Sequence, residues 1–152
     1  MNQRQKTVIQ NFVSVILLTT IIISGVGYWK NHVNRSESIR IMKLLSESVQ
    51  QYRQQNGRAL PPEFYINRER EVLGDARLGK IQYRAQWIGF NADTDTILAY
   101  SYKDFGLTIG KGYVVMRLDG VVEWMAAAQF EQLFAEQRTQ AESEWLKSTS
   151  SF

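Results

Sequence analysis

The uncharged run from Thr7 to Trp29 constrains this chain more than any other feature, because it decides which solvent surrounds the first helix. The run holds 23 residues. At about 1.5 Å of helical rise per residue it reaches roughly 35 Å, enough to cross a hydrocarbon core of about 30 Å with some tilt. Arg4 and Lys6 close it on one side and Lys30 on the other, and Tyr28 and Trp29 stand where interfacial aromatics belong. Gln10, Asn11, Ser14, Thr19, Thr20 and Ser24 dilute its apolar content. Two other readings compete with a permanent anchor. A cleaved secretory signal would explain the basic start and the Ser24-Gly25-Val26-Gly27 patch, but the run has no A-x-A site and is long for a signal core. A buried soluble helix would rarely lack charge for such a length.

The chain has 152 residues, and those beyond the apolar run suffice for one small domain with one core. Arg4 and Lys6 supply two of the three net positive charges, so the remainder is near neutral and lacks the concentrated basic face that nucleic acid requires. There is no cysteine, which excludes a disulfide scaffold, thiolate metal sites and a thiol nucleophile. One asymmetry is local. Lys30, Arg35, Arg40, Lys43, Arg53 and Arg58 face only Glu37 and Glu47 between residues 30 and 58, which suits anionic headgroups or a solvated helix face. Counted by the positive-inside rule, Lys30, Arg35, Arg40 and Lys43 outweigh the short N-terminal tail and put the domain in the cytoplasm.

From Ser36 onward, Ile39, Met42, Leu45, Val49 and Tyr52 recur as one helical stripe, read here as an interaction face that packs on a sheet or on a neighbour's helix. No proline separates this stripe from the apolar run. The segments expected are a basic tail 1–6, a transmembrane helix 7–29, an amphipathic continuation 30–57 and a small domain 58–147, with a frayed tail 148–152. Asn56-Gly57 should stop the helix, and Pro61-Pro62 forbids its resumption. Residues 63–79 read as loop with at most a short helix. Alternation predicts strands near 81–90, 96–102, 113–118 and 121–125, and an alanine-rich start predicts one helix over 126–147. Asp119-Gly120 reads as a two-residue hairpin turn needing positive φ at both positions. The fold class is therefore α+β: a long N-terminal helix on a small antiparallel sheet of about four strands, with a C-terminal helix.

Few constellations suggest chemistry. Gly106, Gly110 and Gly112 surround Lys111, but a phosphate loop needs four residues between its glycines and a Ser or Thr after the Lys. Asn91, Asp93 and Asp95 alternate as calcium ligands do, without the central Gly and with Tyr102 where a bidentate Glu belongs; turn chemistry explains them equally well. His32 is the only histidine and lies beside the apolar run, so no Ser–His–Asp set assembles around it. Asp119 belongs to its turn, and Glu123 to a rim position. No catalytic residue and no cofactor is assigned, and an enzyme is not expected.

Two stretches carry a family resemblance. Residues 44–61, in which Tyr52 precedes Asn56-Gly57 and then Pro61, resemble the helix end of type II secretion pseudopilins. Ile97-Leu98-Ala99-Tyr100, followed by Tyr113 to Met125 with Asp119-Gly120 at the turn, resembles the terminal hairpin of the pilin-like proteins of planctomycete-type bacteria, with Val121 where those carry His. The chain as a whole is similar to the type IV pilin and pseudopilin superfamily. That resemblance implies a structural or assembly component in a bacterial inner membrane, its amino terminus cytoplasmic and its domain external. Its partners would be lipid, other membrane or secretion-system subunits and further copies of itself. The cleavage motif departs from the family: Lys6 precedes Thr7, and Gln10 and Asn11 stand where a Glu would be sought. The alternative is a membrane-tethered protein-binding module facing the cytoplasm.

Overall fold

The computed structural model describes residues 3–74 and 78–149. One helix, α1 (Gln3–Gln55), runs without a break through the apolar run and the amphipathic stripe. It stops where the sequence predicts. Gly57 has φ 61° and Arg58 φ 69°, the Arg58 N–H donates back to the Arg53 carbonyl at 2.7 Å, and the Asn56 amide donates to the Tyr52 carbonyl.

After Pro61-Pro62 comes α2 (Glu63–Leu73), eleven residues long where loop with at most a short helix was expected. Pro62 caps it with extended backbone, Glu63 sits in the first turn against the helix dipole, and Gly74 at φ 82° ends it. Ile66 is buried in the main core, and the Tyr65 ring meets that of Tyr52 of α1 in a tilted contact at 4.9 Å between centroids. Tertiary contact with α1 thus makes a helix of a segment too short to hold one alone.

Four strands follow, all antiparallel and in spatial order: β1 (Gln82–Tyr83), β2 (Ile97–Asp104), β3 (Lys111–Arg117) and β4 (Val122–Ala126). A single helical turn, α3 (Gly106–Ile109), joins β2 to β3. The first strand is a correction. Of the span 81–90, only Gln82 and Tyr83 pair with β2, opposite Tyr100 and Ala99. Arg84 leaves the extended region (φ −106°, ψ 8°), and Ala85–Trp87 form a 3-10 turn. The C-terminal helix is a second correction. It divides into α4 (Ala127–Gln137) and α5 (Gln140–Thr149), because Arg138 is extended and the Thr139 hydroxyl accepts the Glu142 N–H at 3.2 Å, starting a new helix. Most of the expected tail 148–152 lies outside the described residues.

The hairpin turn is a third correction. Gly120 alone has positive φ, at 95°. The Gly120 N–H donates to the Arg117 carbonyl and the Arg117 N–H to the Val121 carbonyl, so three residues, Leu118 to Gly120, close the loop. This is a type I turn followed by a glycine bulge, which likewise matches strand twist.

The sheet is covered on both faces. Met42, Leu45 and Val49 of α1 are fully buried with Leu98, Ala99, Val114, Met116 and Leu118 on one face. Burial of each such side chain contributes about 1.5–3 kcal/mol. Phe130 and Phe134 of α4 cover Ile97, Tyr100, Val115 and Met125 on the other. A register irregularity between Ile97 and Ala99 lets Leu98 and Ala99 both join the α1 face while Ile97 and Tyr100 join the α4 face. Five consecutive residues of β2 are consequently buried.

Gly112 allows β3 and β4 to approach. A Cβ there would stand 2.2 Å from the Met125 carbonyl oxygen, a backbone atom that cannot rotate away. Gly112→Ala should lower stability by about 3 kcal/mol, seen as a lower melting temperature. Gly27→Ala, with open space around it, should leave that temperature unchanged.

Candidate functional site

The part of the chain most exposed to an outside partner is the first half of α1. Its most apolar 18-residue window has mean hydropathy 2.0, and none of it is buried. Val8, Phe12, Val15, Leu18, Ile21 and Ile23 all point into surrounding solvent, each more than 60 % exposed. So large a contiguous apolar surface is far beyond what monomeric soluble proteins present to water. A helix buried in the core of its own domain is thereby excluded; a membrane-crossing segment or a signal sequence fits. The threonine hydroxyls within the run are satisfied locally. Thr19 donates to the Val15 carbonyl and Thr20 to the Ile16 carbonyl, both at 2.8 Å, so neither demands a polar partner from outside the helix.

At the end of the run Tyr28, Trp29, Lys30 and His32 are all exposed. Within half a turn the domain begins. Gly106 of α3 lies against Asn31, and the Arg35 guanidinium sits 5.9 Å above the Trp124 ring. Several basic residues counted after the run are thus occupied: Arg35 by Trp124, Arg40 by Glu37 at 2.9 Å, and Arg53 by the Leu118 carbonyl.

Of the predicted interaction stripe, Met42, Leu45 and Val49 are committed to the chain's own sheet, with Ile39 half-buried beside them and Tyr52 against Tyr65 of α2. The polar residues flanking the stripe fasten the β3–β4 turn to the helix. Ser46 donates to the Gly120 carbonyl at 2.9 Å, and Gln50 to the Leu118 carbonyl at 3.1 Å. Asp119 accepts the Val121 N–H, and Glu123 pairs with Arg117, so the two carboxylates are separately engaged. The Asn91, Asp93 and Asp95 positions fall in the turns before β2, where the Asp93 carbonyl accepts the Thr96 N–H at 3.0 Å. No group of three or more His, Cys, Asp and Glu side chains converges among the described residues. Gly106 and Gly110 bound the α3 turn and do not cradle an anion loop.

One buried charge pair escaped the sequence reading. Arg84 grips Glu142 through Nε at 2.7 Å and Nη2 at 2.8 Å. Both side chains are 3 % exposed. The remaining guanidinium donors reach the Ile97 and Gln137 carbonyls, and the Phe134 ring lies 4.8 Å away. The pair ties α5 to the sheet with every Arg84 nitrogen engaged. The spacing Thr139-x-x-Glu142, that of a capping box, signals the start of α5 but not the pairing of Glu142 with Arg84. Burial pushes the neighbouring Tyr100 phenol up to about 12, with Glu142 adding to the shift and Arg84 opposing it. Burial also raises Tyr83, whose hydroxyl donates to the Pro61 carbonyl.

No protein-family model, no curated protein and no solved structure matches this chain. The order of elements, a long helix apolar and then amphipathic followed by a four-strand antiparallel sheet, is consistent with a pilin-like architecture.

Glu142→Leu leaves Arg84 charged and buried without its partner, and should cost about 3–5 kcal/mol. The double variant Arg84→Met, Glu142→Leu should cost less than Glu142→Leu alone, as read by denaturant unfolding. A second outcome concerns pH. Below the ordinary phenol value of 10.0, Tyr83 and Tyr100 are neutral folded or unfolded, and their contribution is fully present. Above it the unfolded chain releases protons that the folded chain retains, so stability should fall as pH rises from 10.0 through about 12. Tyr100→Phe should make that fall shallower in melting curves recorded across the range.

Proposed function

We propose that this chain is a single-pass membrane protein acting as a structural or assembly component of a pilin- or secretion-type system, without a catalytic role of its own. The observation that carries the reading is the unbroken α1 helix, uncharged, largely apolar and exposed over residues 7–29 and seated on the sheet in its second half. The chain resembles pseudopilins in the residues around Tyr52, Asn56-Gly57 and Pro61 and in its Asp119-Gly120 hairpin. Partners would meet the lipid-facing half of α1 and the exposed side of its second half, since the buried stripe is taken up by the sheet. On this reading the amino terminus is cytoplasmic and the domain lies outside the inner membrane.

Cysteines introduced at Ser14 and Glu47, both exposed on α1, should yield cross-linked oligomers or a cross-linked secretion partner in native membranes. Monomer alone, with no partner, would remove the assembly role. The membrane-bound chain should resist alkaline extraction and retain residues 1–29 by mass; a shortened chain in the aqueous fraction would indicate a cleaved signal.

A second reading rests on the basic flank after the apolar run: a tethered protein-binding module facing the cytoplasm. Labelling of a cysteine placed at the exposed Asn91 by an impermeant reagent in intact cells would eliminate it. Protection from that reagent until the cells are opened would favour it over the external domain.

A further inference from the structure

The connection between the apolar run and the domain has no slack. Trp29 ends the run, and Asn31, two residues on, already lies beside Gly106 at the β2–β3 tip: a Cβ on Gly106 would stand 3.6 Å from the Asn31 side-chain amide. Two residues of helix rise about 3 Å. The polar headgroup layer on each side of a bilayer is about 5–7 Å deep. If Trp29 marks the hydrocarbon boundary, the tip falls inside that layer. It cannot swing out, because α1 is unbroken there and the next residues inward, Arg35 over Trp124 and the buried Ser38, are fixed to the domain.

The tip is compact. Phe105 N–H donates to the Gly110 carbonyl and Gly110 N–H to the Gly106 carbonyl, closing one helical turn between two left-handed glycines. Its only acidic residue, Asp104, is engaged by the Gly106 N–H at 2.9 Å. Lys111 at its base and Lys30 on the helix are both exposed.

Resting on the reading of residues 7–29 as a membrane span, we propose that the β2–β3 tip, residues 104–111, is seated in the headgroup layer of the bilayer, where Lys30 and Lys111 bind the phosphates of anionic lipids. Anionic headgroups attract lysines held this close to the surface, within a Debye length. The domain is then a fixed platform on the membrane, its sheet running along α1 away from the bilayer, and the β3–β4 turn at Ser46 and Gln50 is its far end.

The absence of native cysteine makes the test direct. The full chain, carrying a fluorophore on Ile109→Cys, Ser24→Cys or Asn91→Cys, is placed in phosphatidylcholine vesicles with or without phosphatidylglycerol. Quenching by lipids spin-labelled at the headgroup or in the acyl chain is then read. The label at 109 should be quenched by the headgroup probe, that at 24 by the acyl probe, and that at 91 by neither. Quenching at 24 with none at 109 overturns the platform and leaves the span standing. No quenching at 24 overturns the span itself.

Adding phosphatidylglycerol should increase quenching at 109. Lys30→Glu with Lys111→Glu should abolish that increase, and the milder Lys30→Gln, Lys111→Gln pair should reduce it. An increase unchanged in both pairs, or no increase in the parent chain, overturns headgroup binding.

Discussion

The seating of the sheet on the second half of α1 is the constraint on which the remaining structure depends. Met42, Leu45 and Val49, all fully buried, form the α1 side of the main core. The same helix is uncharged and largely apolar over residues 7–29 in its first half. A single helix therefore carries two kinds of surface, and the change from the exposed apolar one to the one packed on the domain takes place within about two turns after Trp29. With no hinge in that interval, the position of the domain relative to the apolar run is set by helical geometry. Ser46, Gln50 and Arg53 extend the seat by binding the carbonyls of the β3–β4 turn, so the sheet is held at both ends: Asn31 and Arg35 near the apolar run, and the turn far from it.

The second face of the sheet is closed by different means. Aromatic rings dominate it: Tyr113 stacks on Phe130 at 3.9 Å, and Tyr100 meets both Phe130 and Phe134. Beyond them, α5 is a largely polar helix with little apolar surface to hold it. The Arg84–Glu142 pair compensates by supplying a fixed, directional attachment. A buried ion pair of this kind is a weak source of net stability, because desolvation offsets much of the attraction. Its contribution is to define where α5 goes, and its cost is limited because backbone carbonyls occupy the remaining guanidinium donors.

How much was legible from the residues varied with the range of the forces involved. The stop at Asn56-Gly57 was readable because left-handed backbone is a local preference. The pairing of β3 with β4 was readable from the short connection through Asp119-Gly120, although the turn type was not: one versus two residues of positive φ depends on how the closing pair twists. The length of β1 was misjudged because Ile81, Tyr83, Ala85 and Trp87 alternate well, and nothing near Arg84 announces a partner 58 residues away. The break between α4 and α5 had a local signal in Thr139-x-x-Glu142, while the apolar residues on both sides of it read as one continuous helix. For the stripe on α1, periodicity gave the face but could not distinguish a partner's helix from the chain's own sheet.

By itself the sequence determined the two-part character of α1, because absence of charge over a bilayer's thickness and a stripe at helical spacing are properties of composition and period alone. It also determined that a small antiparallel sheet follows, since alternation and turn residues act over neighbouring positions. Tertiary structure alone decided that this sheet is covered on both faces, that Arg84 and Glu142 meet, and that the β2–β3 tip lies beside Asn31. Each of these joins residues far apart in the chain, and such contacts are selected only by packing everything else at once.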